Sequence, residues 1–452
     1  MSTQVEHVEN GTGADQGSVA KGKAGPKLVD ILRCIVFYGL SIMLVLSANS
    51  LYYTQGDNRA IFALITLVLS ALLIVIMWAT CEIGETFLRR WALWVTCTCA
   101  VFLTVVLVNC SIGSAPWHFY FALLAPFPLL VHLLRQKGHF QSFIQSFVNV
   151  VACLGLVSTV LWLVCDVGHL LQPNCSVLNT WHIRGQVSEA EGYFYILMHT
   201  QTTNLNEFPL LSIDAVFYRN TAIFVEGPMM SFVLCCALIC ETFLNKRLRK
   251  TVFVILALTI LSTLTTTCII VLALVCTALC MRVLLKHGYK ALVLAVFAVG
   301  VAIAMAFVIQ KIMQTGSGST RLDDYRACFQ VWLTDPLFGC GYDNTMPIRN
   351  YMSLSRITNT GVANSLGYAL ALGGLAHISL HVVAFAGYFV KAEQSDARAS
   401  QRFDYAVAGL LFLFVWVITV VVTLPLAAFM LSIGVERFLA ALPHRSSKST
   451  AG

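Results

Sequence analysis

The chain has 452 residues, of which 58% are hydrophobic and only 11% charged. Its mean hydropathy is +0.77. So few charges cannot cover a water-soluble globule, so the bilayer is the expected solvent for most of the sequence. The net charge of +7 is then a matter of membrane topology and not of nucleic-acid binding.

Residues 1–28 are polar, glycine-rich and without apolar period, and read as a disordered cytoplasmic tail. Residues 29–166 hold five apolar runs, at 33–49, 60–80, 91–109, 117–134 and 145–165, each long enough to span. Residues 167–228 form a large outer loop. Residues 229–312 hold spans six to nine: the runs 229–244 and 290–312, and the stretch 251–285 divided in two. That stretch is too long for one span, and the hydroxyl-rich run Ser262 to Thr267 is the natural break. A second large outer loop follows at 313–364. Residues 365–440 hold the last three spans, with the run 404–440 divided near Thr423-Leu424-Pro425, and 441–452 are a cytoplasmic tail. The expected fold is all-α: a polytopic membrane bundle of about twelve transmembrane helices, with short amphipathic helices in the two outer loops.

Lysine and arginine placement fits this layout. With both termini cytoplasmic, the inner segments and adjoining helix ends collect 21 of the 29 Lys and Arg residues. The other eight are Arg59, Arg184, Arg219, Lys311, Arg321, Arg326, Arg349 and Arg356. A miscount of one helix in the middle of the chain would scramble the pattern. Most of the 16 cysteines lie in apolar runs without metal spacing, and act there as small hydrophobes. Cys110, Cys175, Cys328 and Cys340 fall on the outer side, where a disulfide among them is chemically allowed.

The two outer loops carry arginine and, within them, no lysine. A guanidinium is a permanent planar fork that binds phosphate oxygens two at a time, so an outer diphosphate would suit it. Arg59, Arg184, Arg349 and Arg356 are read as headgroup-level residues. Arg219 and Arg321 are singled out by their surroundings. Arg219 opens a stretch ending in Glu226-Gly227-Pro228 that runs directly into the sixth span, where a charged pair is costly unless satisfied or used. In the second loop, Thr320 and Asp323 match a capping box, and Leu322, Tyr325, Phe329, Trp332 and Leu333 recur at helical spacing up to Pro336. Gly339 and Gly341 then form a turn. This reads as an amphipathic helix at the membrane surface. Arg326 lies about 140° around that helix from Arg321, so the two cannot serve one ligand from one face.

The stretch Thr320-Arg321-Leu322-Asp323-Asp324-Tyr325-Arg326, then Trp332, Asp335-Pro336-Leu337-Phe338-Gly339-Cys340-Gly341-Tyr342, Asn364-Ser365-Leu366 and Gly373-Gly374 resembles the signature of the O-antigen ligase and polysaccharide polymerase superfamily. Arg219, Phe224, Glu226 and Pro228 resemble its other marker, as does the Ser/Thr-rich break. The resemblance covers roughly residues 215–375. It implies a bacterial cytoplasmic-membrane glycosyltransferase that moves an oligosaccharide from an undecaprenyl diphosphate carrier to an acceptor hydroxyl, without metal or other cofactor. Further expected partners are membrane lipid and a chain-length regulator, with no nucleic acid. Arg219 and Arg321 would clamp the diphosphate, and Arg326, Tyr325, Asp343 and Asn364 would contact substrate.

One departure matters. Where the ligases of the family read His-Asn, this chain has Ala363-Asn364. That points from ligation of a finished glycan towards polymerisation of carrier-linked repeat units, and leaves the catalytic base open. Glu226 is the first candidate, with Asp323, Asp324 and Asp343 behind it as caps or loop residues that could serve. A transporter or flippase for lipid-linked sugars, and a non-catalytic scaffold, are the readings from other classes. His377 and His381, four apart in the tenth span, fit a buried polar pair bonding a neighbouring helix better than a metal site. Tyr193-Phe194-Tyr195 could stack on sugar or serve as loop packing.

Overall fold

The computed structural model describes residues 28–56, 58–79, 83–179, 188–204, 216–314, 316–356, 361–390 and 399–443. The expected N-terminal tail (but for Leu28), most of the C-terminal one and Arg184 lie outside these residues. Each apolar run forms a helix. The first half of the chain gives α1 (Leu28–Leu46), the short α2 (Leu51–Thr54), α3 (Asn58–Trp78), α4 (Glu85–Asn109), α5 (Ala115–Leu124), α6 (Pro126–Gln136) and α7 (Phe140–Leu161). Pro126 lacks an N–H and separates α5 from α6 without breaking the run. The second half gives α8 (Gly227–Ile239), α9 (Lys250–Ser262), α10 (Thr266–Lys286), α11 (Lys290–Gln314), α12 (Gly316–Thr334), α13 (Met346–Tyr351), α14 (Ser365–Phe389), α15 (Ala399–Ile418) and α16 (Pro425–Ala441).

Among the described residues, nine helical segments are long and apolar enough to cross a membrane. Their outward side chains are apolar: Leu107 is 73% exposed and Leu93 62%. Surface of that kind is stable only against lipid. This is a polytopic helical bundle of a membrane protein. α8 is buried on all sides, and α7, α9, α10 and α15 pack around it. A helix apolar all round belongs in such a centre.

Both long runs divide as expected. α9 ends at Ser262 and α10 begins at Thr266, with Leu264 in the left-handed region at φ 49°. α15 ends at Ile418 and α16 begins at Pro425. α14 and α16 cross backbone to backbone. A Cβ built on Gly387 falls on the Gly434 carbonyl, and one on Gly434 falls on the Ala384 carbonyl. Gly434→Leu is therefore expected to cost at least about 1–3 kcal/mol by overpacking. A lower unfolding temperature of the purified variant checks this, with Gly361→Ala, in open space and without positive φ, as a control for handling.

The first long inter-helix segment corrects the expectation of short helices there. Its described residues form strands: β1 (Cys175–Asn179), β2 (Ser188–Tyr193) and β3 (Leu197–Met198) in one antiparallel sheet, and β4 (Thr202–Asn204) with β5 (Val216–Tyr218) in another. The cause is local. Val177 and Asn179 turn inward while Ser176 and Leu178 turn outward, the two-residue period of a strand. Of the aromatic run, Tyr193 is buried, while Phe194 and Tyr195 are exposed at positive φ in the hairpin turn.

α12 begins at Gly316, not at Thr320, so the expected capping box is no cap. Asp323 instead accepts hydrogen bonds from Ser353 N and Oγ at 3.0 and 3.1 Å. The helix buries Asp324, Ala327, Cys328 and Val331. Its apolar stripe faces outward, with Leu322 60% and Leu333 54% exposed. Arg356, read as a headgroup residue, is in fact buried and donates to Asp324 Oδ1 at 2.8 Å, to Thr320 O and to Gly361 O.

Candidate functional site

The stretch from Arg219 to Glu226 is irregular, with a turn at Ala222 and Ile223, and is held by several neighbours. Arg219 N donates to Gln201 O (3.0 Å), Asn220 Nδ2 to Ser262 Oγ (2.8 Å), Leu51 N to Ile223 O (2.8 Å) and Val225 N to Asn49 O (3.2 Å). Gln201 ties the two ends together, because its side-chain oxygen accepts from Gly227 N at 3.0 Å. The Ser/Thr break docks on the same segment. Thr265 bonds Ser231 of α8 through its hydroxyl, and Thr263 Oγ1 lies 2.9 Å from Thr265 Oγ1.

A cavity of about 440 Å³ opens between these elements. Arg219, Gln201 and Thr202 line it from the first long segment, and Arg321 and Tyr325 from α12. Thr265, Thr266 and Thr267 at the start of α10 complete its polar side, with Pro228 of α8 beside them. Ile270, Val308, Leu322, Phe414 and Ile418 make an apolar wall. The two arginines, 102 positions apart in the sequence, thus face one space. The first turns of α8 and α10 begin at this cavity, and a helix N-terminus adds partial positive charge.

α12 places its side chains through the end of α15. Arg321 Nη1 donates to Ile418 O at 3.1 Å, and the Tyr325 hydroxyl to Val417 O at 2.6 Å. Both acceptors are carbonyls of a helix C-terminus, which have no partner within their own helix. Arg321 keeps its remaining donors, and no other protein acceptor takes them among the described residues. Arg219 donates Nη2 to Thr203 Oγ1 at 3.0 Å.

Glu226 precedes α8 and lies within the field of both arginines. Glu226 and Arg219 make no direct ion pair: no cation approaches Glu226 within 4.0 Å among the described residues. Burial pushes its carboxyl up to about 7, against the opposing pull of Arg321 and Arg219. Burial also lowers the Arg321 guanidinium, which Glu226 partly offsets. The same desolvation pushes the Tyr325 hydroxyl up to about 12. A carboxyl poised near neutrality can take or give a proton at physiological pH.

The remaining expected contacts sit elsewhere. Arg326 is exposed on α12 and does not line the cavity, in keeping with its angular offset from Arg321. Asp343 is exposed in a turn at φ 64°. Asn364 is buried as the N-cap of α14, its Oδ1 accepting from Gly367 N at 2.7 Å. Asp324 is committed to Arg356 and to Ala363 N (2.9 Å), and burial raises its carboxyl. His377 and His381 pair with tyrosines of other elements, at 3.0 Å to Tyr342 and 2.9 Å to Tyr120. Gln201 and Thr202 were missed as site residues, while Thr265 to Thr267 were noted only as part of the Ser/Thr-rich break. Only their distance in sequence from the arginines hid them.

No protein-family model, curated protein sequence or solved structure matches the chain significantly.

The raised Glu226 carboxyl has a testable consequence. Its folded value lies above its ordinary one of 4.5, so the stability it contributes is fully present below pH 4.5 and is lost as pH rises through about 7. Glu226→Gln is expected to flatten the fall in unfolding temperature between pH 5 and 8.5. The same slope in variant and parent would show that Glu226 is not the group involved.

Proposed function

We propose that this protein is a polysaccharide repeat-unit polymerase of the O-antigen ligase and polymerase type, with twelve membrane spans and both termini cytoplasmic. It would transfer an oligosaccharide from an undecaprenyl diphosphate carrier to a hydroxyl of another carrier-linked repeat unit, on the outer face of the bacterial cytoplasmic membrane. The observation that carries the reading is one cavity lined by Arg219 and Arg321 from separate segments, with Glu226 in the field of both. In this reading the two guanidinium forks hold the diphosphate and stabilise the charge that develops as it leaves. The apolar wall takes the first part of the prenyl chain. Glu226, as the carboxylate, accepts the proton of the acceptor hydroxyl.

The residues assembled in the cavity suffice for transfer from a donor already activated by its diphosphate. A ligase is the second reading, and Ala363 in place of the ligase histidine weighs against it. A flippase for lipid-linked sugars is the alternative from another class. Purified protein in detergent, given lipid-linked repeat units, separates these. A polymerase lengthens the glycan with no bilayer or gradient, and Arg219→Ala does not. Unchanged chain length with the parent protein would sink the enzyme reading.

A further inference from the structure

A second polar pair lies beside the cavity and has no part in the reading above. Beyond Leu161 the helix loosens into a π-helical turn, Trp162–Val167. Such turns commonly re-aim a side chain near a functional site. Here the turn brings Asp166 inward, where Oδ1 accepts from His199 Nε2 at 2.7 Å. The two side chains are 4% and 9% exposed. Asp166 Oδ2 has no hydrogen-bond partner among the described residues, so this buried carboxylate depends on His199.

His199 joins the pieces that carry the cavity wall. Its ring lies flat on Tyr218, with centroids 4.0 Å apart and planes at 9°, and Tyr193 meets its edge. Trp162, in the same π-helical turn, donates Nε1 to Tyr218 O at 2.8 Å. Tyr218 is followed directly by Arg219. Two residues after His199 comes Gln201, which holds Arg219 N and Gly227 N. The π-helical turn therefore grips the backbone directly before Arg219, and the segment that carries His199 grips Arg219 N.

We propose that His199 is a positioning residue for Arg219: fixed by Asp166, its ring clamps Tyr218 and so sets the direction in which the Arg219 guanidinium enters the cavity. The inference rests on the reading of Arg219 as a diphosphate ligand. It predicts a role for His199 in anion affinity although His199 does not line the cavity.

The test is binding of farnesyl diphosphate to the purified full-length protein by calorimetry, with thermal unfolding in parallel. His199→Gln keeps an N–H donor for Asp166 but removes the ring. Its unfolding temperature should stay near the parent's while affinity falls about tenfold, the loss of one well-aligned charge-assisted hydrogen bond. The double variant His199→Gln with Arg219→Ala should bind no more weakly than Arg219→Ala alone, because both changes remove the same contact. Tyr218→Phe, which keeps the stack, should bind as the parent does, and Tyr218→Leu should bind as His199→Gln does. That pair decides the matter if His199→Gln fails to fold. Parent-like affinity in His199→Gln or Tyr218→Leu, or additive losses in the double variant, overturns the positioning role while leaving the diphosphate site intact. If the parent does not bind the probe, or Arg219→Ala binds equally well, the diphosphate reading itself fails and this inference falls with it.

Discussion

On the proposed polymerase reading, Arg321→Lys is expected to lower glycan elongation by about 10²–10³-fold, the usual cost of removing one preorganised donor of developing charge, while the protein stays at its normal level in the membrane. The reason lies in how Arg321 divides its donors. One nitrogen holds the Ile418 carbonyl at the end of α15, and the rest of the fork is left for the cavity. A lysine ammonium is a single point of charge and cannot do both. If it caps Ile418 it withdraws from the cavity, and if it reaches the anion it leaves the helix end open. Arg219→Lys meets the same conflict, because Nη2 is committed to Thr203. Glycan length profiles of cells, read beside membrane protein levels, check both variants. Tolerance of both lysines with long glycan intact would favour the scaffold reading.

The second large effect is on folding. α14 is interrupted at Gly374, whose φ of 60° and ψ of −160° suit only glycine. The segment Pro336–Gly341 fills the interruption. Leu375 N and Ala376 N donate to Pro336 O and Leu337 O, and Cys340 N and Gly341 N to Ala371 O and Leu372 O, all at 2.9–3.0 Å. A Cβ on Gly374 would lie 2.5 Å from the Leu337 carbonyl, and one on Gly339 2.5 Å from Leu372 C. Gly374→Ala therefore adds about 1–3 kcal/mol of backbone strain and pushes apart four hydrogen bonds worth about 1 kcal/mol each. The expected result is aggregated or degraded protein, measured by size exclusion in detergent and by membrane abundance. A monodisperse variant with parent-like unfolding would contradict this account of the break.

These particulars show what was legible in the sequence and what was not. The helices were, because a span needs a long apolar run, and both divided runs break where hydroxyls or proline interrupt them. Arg219 and Arg321 line one cavity, and only the family resemblance implied that they would work together. The inward face of α12 was not. In a membrane bundle apolar side chains face lipid as readily as core, so the stripe of Leu322 and Leu333 marked the outside, and Asp324 with Cys328 the inside. Arg356 misled for the same reason: a buried arginine with a carboxylate partner has the same sequence appearance as one at the headgroups. The strands of the first long segment are too short for periodicity to reveal, and the pairing of Pro336–Gly341 with the α14 break depends on contacts that no local pattern encodes.

The most direct measurement is an experimental structure of the protein with a prenyl diphosphate bound. The account requires phosphate oxygens within about 3 Å of both the Arg219 and Arg321 guanidinium groups, with the prenyl chain leaving along Ile270, Phe414 and Ile418. Headgroup density in another part of the molecule, or against only one of the two arginines, would contradict it.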